Sequence, residues 1–195
     1  MAAAGCEIIL ASASPRRVEL LRMLGVEKMR VIPALGEEKA EPGLEPDETV
    51  KRLALAKARE VHGEYGGDNV VIAADTIVYL DGEILGKPRD EGEAASMLRR
   101  LSGRTHSVFT GVAVIGRGME LVEAEETEVT FRGISEREIG AYVGTGEPMD
   151  KAGAYGAQGI GGLFIERVDG DFYNVVGLPL CRLGKMLEKM GVELI

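Results

Sequence analysis

The segment Ser12-Ala13-Ser14-Pro15-Arg16-Arg17 places two hydroxyls and two guanidinium groups around a helix start. Glu7 to Ala11 reads as a short buried strand ahead of it. Ser14 suits the N-cap and Pro15 the first helical position. A helix N-terminus carries partial positive charge and unpaired N–H groups, so acids normally belong in its first turn. Two arginines there are unfavourable unless an anion sits opposite. A phosphate chain would meet the helix end, the hydroxyl of Ser12 and the forks of Arg16 and Arg17. The alternative is that both arginines point into solvent or pair with acids such as Glu19.

Asp75 is the sharpest single anomaly, because it interrupts the apolar run Val70 to Val78 within one expected strand. Burying a carboxylate costs several kcal/mol unless it is paired or binds a metal. A general base or a magnesium ligand is a natural use. Lys57 follows the helical stripe of Val50, Ala54 and Val61; it either snorkels to the edge or reaches into a cleft. A turn at Asp81-Gly82 sets Lys87 opposite Thr76. Adjacent strand residues face opposite sides, so Asp75 and Thr76 share a pocket only through a twist or bulge.

Glu37 and Glu38 lie in an acidic loop, Ala34 to Pro46. Such acids are either solvated surface or a further magnesium ligand. Gly153 to Gly162 holds Tyr155 and Gln158 among glycines that permit close backbone approach to a ligand. The amide of Gln158 could read a base edge. The alternative is a flexible connector.

These residues need a scaffold, and the pattern supplies one. Helices are expected from Ser14 to Leu24, from an Asp47 cap onward, from Asp90 to about Ser102, from a Ser135–Glu138 capping box to Val143, and from Leu180 to Met190. Strands are expected at Arg30 to Pro33, Val70 to Leu80, Glu83 to Lys87, His106 to Ile115 and Met119 to Phe131. Gly144 to Gly162 reads as a glycine-rich loop, and Gly162 to Val168 with Phe172 to Val176 as a hairpin around Asp169-Gly170. Alternating strands and helices followed by hairpins predict an α/β fold with a mixed sheet flanked by helices.

The 195 residues suit one domain, 1–195, and 45% hydrophobic composition can fill its core. A net charge of −9 argues against nucleic-acid binding, while a local cationic pocket for an anion remains open. Cys6 and Cys181 lie far apart, which predicts a reducing compartment rather than a disulfide framework. Met1 to Leu10 does not read as a signal peptide, and no run approaches a membrane span, so a cytoplasmic protein is expected. No P-loop, convincing GxGxxG, HExxH or GxSxG motif occurs.

Together these segments resemble the Maf family of nucleoside triphosphate pyrophosphatases. The matching stretches are Leu10 to Arg17 with Glu19-Leu20-Leu21, Ala54 to Ala58, Ala74 to Val78, Gly86-Lys87-Pro88, Asp150 to Gly156, Gln158-Gly159 and Tyr173 to Pro179. The Ala154-Tyr155-Gly156-Ala157-Gln158-Gly159 stretch resembles the branch acting on dTTP and UTP. The resemblance implies hydrolysis between the α- and β-phosphates with a divalent ion, magnesium or manganese. It implies Asp75 as catalytic proton acceptor, while the divalent ion would be held by Asp75 or Glu38. It implies Arg16, Thr76 and Gln158 as residues of substrate choice, and Ser12, Arg17, Lys57, Lys87 and Glu38 around phosphates and metal. Glu37-Glu38 stands where Asp-Glu is more usual. The implied fold is an elongated mixed sheet in two lobes around a cleft, often as a homodimer. The alternatives are a preference for 7-methyl-GTP, or a nucleotide-binding regulator of cell division without turnover.

Overall fold

Three apolar residues, Ile8–Leu10, form strand β1, and all three are buried. The burial follows from position: β1 pairs in parallel with β2 (Met29–Val31) on one side and with β3 (Val70–Leu80) on the other. Ile8 stands opposite both Met29 and Val70. Parallel neighbours need crossovers, and helices α1 (Pro15–Met23) and α2 (Pro46–Tyr65) supply them. This is a computed structural model, and it describes residues 7–36 and 43–194.

The remaining elements are β4 (Glu83–Leu85), α3 (Glu91–Leu101), β5 (Thr105–Gly116), β6 (Met119–Phe131), α4 (Glu136–Val143), β7 (Ile165–Asp169), α5 (Phe172–Val176) and α6 (Leu180–Lys189). The hydrogen-bonding order is β2-β1-β3-β5-β6-β7, with β4 on β3. Pairing is parallel at β1 and antiparallel at β3–β4 and β6–β7, so the mixed α/β sheet expected from the sequence is what the chain forms. Turn chemistry fixes the β3–β4 register: Asp81 and Gly82 take φ of 53° and 82°, and Val78 pairs with Leu85.

The chain divides into two compact units. The first holds residues up to Asp75, Thr110–Glu125 and the chain from Gly177. Its core joins Ile9, Val71 and Ala73 of the sheet to Ala54, Ala58 and Val61 of α2. The second unit holds Thr76–Phe109 and Glu126–Val176. Its core packs Leu98 and Leu101 of α3 with Ile139 and Tyr142 of α4 around Phe131, Tyr155 and Phe164.

Three local expectations need correction. Asp47 is not the cap of α2: Glu45 holds the N-cap, Pro46 the first turn, and Asp47 pairs with Lys51 at 2.9 Å. Proline's fixed φ suits that first position, which moves the start back. Ser14 does occupy the N-cap of α1, but its side chain makes no capping bond. Residues 144–162 are not an open loop; short 3-10 turns occupy Glu147–Asp150, Ala152–Ala154 and Ile160–Phe164. Phe172–Val176 is a helix rather than the return strand of a hairpin. The Asp171 carboxylate accepts from the backbone N–H of Tyr173 and Asn174, which caps a helix against the strand preference of Phe, Tyr and Val.

Candidate active site

Alternation along β3 decides where Asp75 points. Val71 and Ala73 pack against α2, and Asp75 is the next residue on that face. On α2 the same stripe of Ala54, Ala58 and Val61 carries Lys57 at its edge. The helix can lie this low because β5 has Gly111 beneath it. A Cβ at Gly111 would overlap the carbonyl of Val50 and the amide nitrogen of Lys51. Lys57 Nζ therefore reaches Asp75 and donates to its Oδ1 at 2.6 Å. The two side chains are only 14% and 9% exposed, so the ammonium offsets much of the cost of burying the carboxylate.

Arg17 ties the start of α1 to this strand. Its Nη1 donates to Ser12 Oγ at 3.1 Å and to the carbonyl of Ala74, the residue before Asp75, at 2.9 Å. Its Nε donates to the carbonyl of Gly177 at 2.8 Å. These three bonds fix the position of the guanidinium. Ser12 Oγ accepts a second bond from the N–H of Ser14 at 3.2 Å, and its own proton remains for donation. Arg16 sits half-buried on α1, whose first turn holds no acid. Ser12, Arg17, Lys57 and Asp75 thus form one cluster in the first unit. Glu37 and Glu38 lie outside the described residues. Before them, the N–H groups of Leu35 and Gly36 donate to the Glu60 carboxylate on α2, at 2.7 and 3.0 Å.

Thr76, Lys87 and Gln158 belong to the second unit. The pleat turns Thr76 to the face opposite Asp75. The β3–β4 register runs on toward a Thr76–Lys87 rung, but the ladder ends at Leu85, and Lys87 is exposed. Gly153 N–H donates to the carbonyl of Gly86 at 3.1 Å, which sets the glycine-rich segment beside the neighbour of Lys87. Gly153 has φ of 67° and lies against Val78, where a Cβ would come within 2.8 Å of a methyl group. Gln158 is exposed further along that segment.

Two groups that sequence reasoning passed over hold this segment. Glu147 accepts from Tyr142 OH at 2.9 Å, from Ile160 N–H at 3.0 Å and from Gly161 N–H at 3.1 Å. Burial works against its charge, but the two N–H donors, the Tyr142 hydroxyl and nearby Lys151 bring its carboxyl below the usual range. Tyr142 OH also accepts from Gly156 N–H at 3.1 Å. Burial raises the phenol pKa of Tyr142, so it stays a donor to Glu147. Buried His106 and Tyr155 share a 2.8 Å hydrogen bond between Nε2 and OH. The only sequence signal for Glu147 was its place between Gly146 and Pro148, ahead of a run of glycines needing something to wind around.

Among the described residues no three or more His, Cys, Asp or Glu side chains gather as a metal cage. A buried carboxylate whose Oδ1 serves Lys57 still has a second oxygen for a cation. Magnesium commonly takes one or two carboxylates and completes its shell with water and substrate phosphates, so the donor set fits a phosphate-bound ion. No helix among the described residues is long and apolar enough to cross a membrane.

A family profile described as Maf-like protein matches residues 7–190. The chain is 50% identical over 192 residues to a dTTP/UTP pyrophosphatase of Caldicellulosiruptor bescii, covering 96% of each chain. It is 54% identical over 185 residues to a dTTP/UTP pyrophosphatase of Symbiobacterium thermophilum, covering 95% of this chain and 94% of that one. A solved dITP/XTP pyrophosphatase from Mycobacterium abscessus is 18% identical, covers 94% of this chain and 97% of its own, and aligns at a TM-score of 0.45.

Proposed function

This chain belongs to the Maf family, and on that premise we propose that it is a nucleoside triphosphate pyrophosphatase acting on dTTP and UTP. Water attacks the α-phosphorus, the bond to the bridging oxygen of the β-phosphate breaks, and the products are the nucleoside monophosphate and pyrophosphate. The observation that carries this reading is the Lys57–Asp75 pair, a nearly buried carboxylate held by an ammonium beside the start of α1.

Asp75 accepts the proton of the attacking water. Lys57 orients that carboxylate through one lone pair of Oδ1, which leaves its other lone pairs for the water and for a cation. Arg16 and Arg17, Ser12 Oγ–H and Lys87 bind the phosphates; Arg17 is held in place for this by Ala74 and Gly177. Asp75 and Glu38 would hold the divalent ion, which when bound polarises phosphoryl oxygens. Gln158 presents its amide to the pyrimidine edge, with Arg16 contributing to substrate choice; Thr76, on the opposite face of β3 from Asp75, would act on that choice through the strand rather than beside the carboxylate. Catalysis by such a site is mostly positioning and charge stabilisation, as for phosphoryl transfer generally.

Incubating the protein with UTP and magnesium, then identifying products by chromatography, should show UMP and pyrophosphate. Asp75→Asn keeps the shape and removes the proton acceptor, so turnover should fall at least about a hundred-fold. Release of UDP and orthophosphate, or full activity in Asp75→Asn, would overturn the reading. Faster turnover of 7-methyl-GTP than of UTP would reassign the substrate while keeping the reaction.

A further inference from the structure

We propose that Glu147 is a positioning residue that sets nucleobase preference by clamping the backbone on both sides of Gln158. This rests on the reading of Gln158 as the base-reading amide. Gln158 itself is exposed, and a glutamine on a glycine-rich segment would sweep many orientations if its backbone were loose. The backbone is not loose. Two residues after Gln158, Ile160 N–H donates to Glu147 Oε2, and Gly161 N–H donates to Oε1. Two residues before it, Gly156 N–H donates to Tyr142 OH, which in turn donates to Glu147 Oε1. One carboxylate therefore anchors both ends of the turn, directly on one side and through a phenol on the other.

The fit leaves no slack. A Cβ at Gly159 would overlap the Glu147 carboxylate, and one at Gly161 would come within 2.6 Å of Tyr142 OH. The acid itself is fixed from below: Lys151 Nζ donates to the Glu147 carbonyl at 2.6 Å, and Glu147 N–H donates to Thr145 Oγ1 at 3.2 Å. Glu147 never needs to touch the base. It sets where Gln158 stands, so its loss is read in substrate choice and KM rather than in the chemical step.

Glu147→Gln keeps the shape but leaves one acceptor oxygen where two are in use. Tyr142→Phe keeps the buried ring, removes the hydroxyl's bonds to Glu147 and Gly156 and leaves the direct bonds of Glu147 to Ile160 and Gly161, so it serves if Glu147→Gln fails to fold. Amide exchange over Gly156 to Gly161 and calorimetric binding of UTP and GTP in EDTA need no turnover. Kinetics with magnesium add the split between kcat and KM. Either variant should exchange faster across the turn and lose about ten-fold of its UTP-over-GTP preference, through KM, with kcat within about two-fold of wild type. Unchanged exchange, equal losses for UTP and GTP, or a loss confined to kcat would overturn the role. Absence of UMP from the wild type would remove the proposed reaction. The exchange and binding results would still decide Glu147.

Discussion

Arg17 and Gly177 stand 160 positions apart, and the Nε–H of the first donates to the carbonyl of the second at 2.8 Å. With the bonds to Ser12 and Ala74, one side chain joins the opening of α1, the end of the first half of β3 and the approach to α6. A lysine carries one ammonium and cannot satisfy three acceptors in those directions. Arg17→Lys should cost about 2 kcal/mol in urea unfolding, and Arg16→Lys about half a kcal/mol or less. Equal losses in the two variants would contradict the strut.

The Lys57–Asp75 pair makes a sharper demand. Lys57→Met leaves a buried carboxylate beside a thioether, and breaking a buried pair from one side costs about 3–5 kcal/mol. Turnover of UTP should fall with it. Adding Asp75→Leu removes the stranded charge, so the double variant should regain stability while staying inactive. A double variant no more stable than Lys57→Met would show that the pair is not buried in solution.

His106 gives the fold an acid-sensitive point. Burial pushes its imidazole down to about 4, and Nδ1 has no hydrogen-bond partner among the described residues. The unfolded chain takes up the proton near pH 6.5 while the folded chain resists until about 4, so stability is full above 6.5 and declines as pH falls across that window. The whole interval is worth roughly 3 kcal/mol. Urea titrations at pH 7.5 and 4.5 should show wild type losing about 2 kcal/mol more than His106→Gln. Identical losses would point to carboxylates instead.

Gly111→Ala tests how closely α2 lies on the sheet. The added methyl meets the backbone of Val50 and Lys51, which cannot rotate aside. The melting temperature should drop by about 10 °C, with a larger fractional loss of activity as α2 lifts away from β3. An alanine variant with wild-type melting would show that the helix sits higher than described.

Sequence alone carried the fold wherever a local signal agreed with burial. Val70–Leu80 shows its bounds in the sequence because its residues are buried on both faces and Asp81-Gly82 ends it. Ser135 and Glu138 start α4 with the reciprocal bonds their spacing promised. Phe172–Val176 failed because side chains favouring a strand were overruled by a single cap at Asp171. Asp75 and Lys57 were each suspect alone, but their pairing needed α2 laid on β3, which no local pattern encodes. Glu147 was silent for another reason: two of its three donors are backbone N–H groups, which carry no residue signature.

Gly111 also bears on how this family member can vary. Where a helix rests on side chains, each change in the core resets its height. Here part of the seat is main chain against main chain, beside Val50 and two turns before Lys57. The span from that seat to the lysine is fixed by helical rise, so the reach of Lys57 is gauged by backbone rather than by packing. Shrinking Val61 can then cost stability while the ammonium keeps its distance from Asp75, whereas enlarging the fully buried Ala58 would lift α2 at the lysine itself, so the core can evolve toward smaller side chains without recalibrating the chemistry.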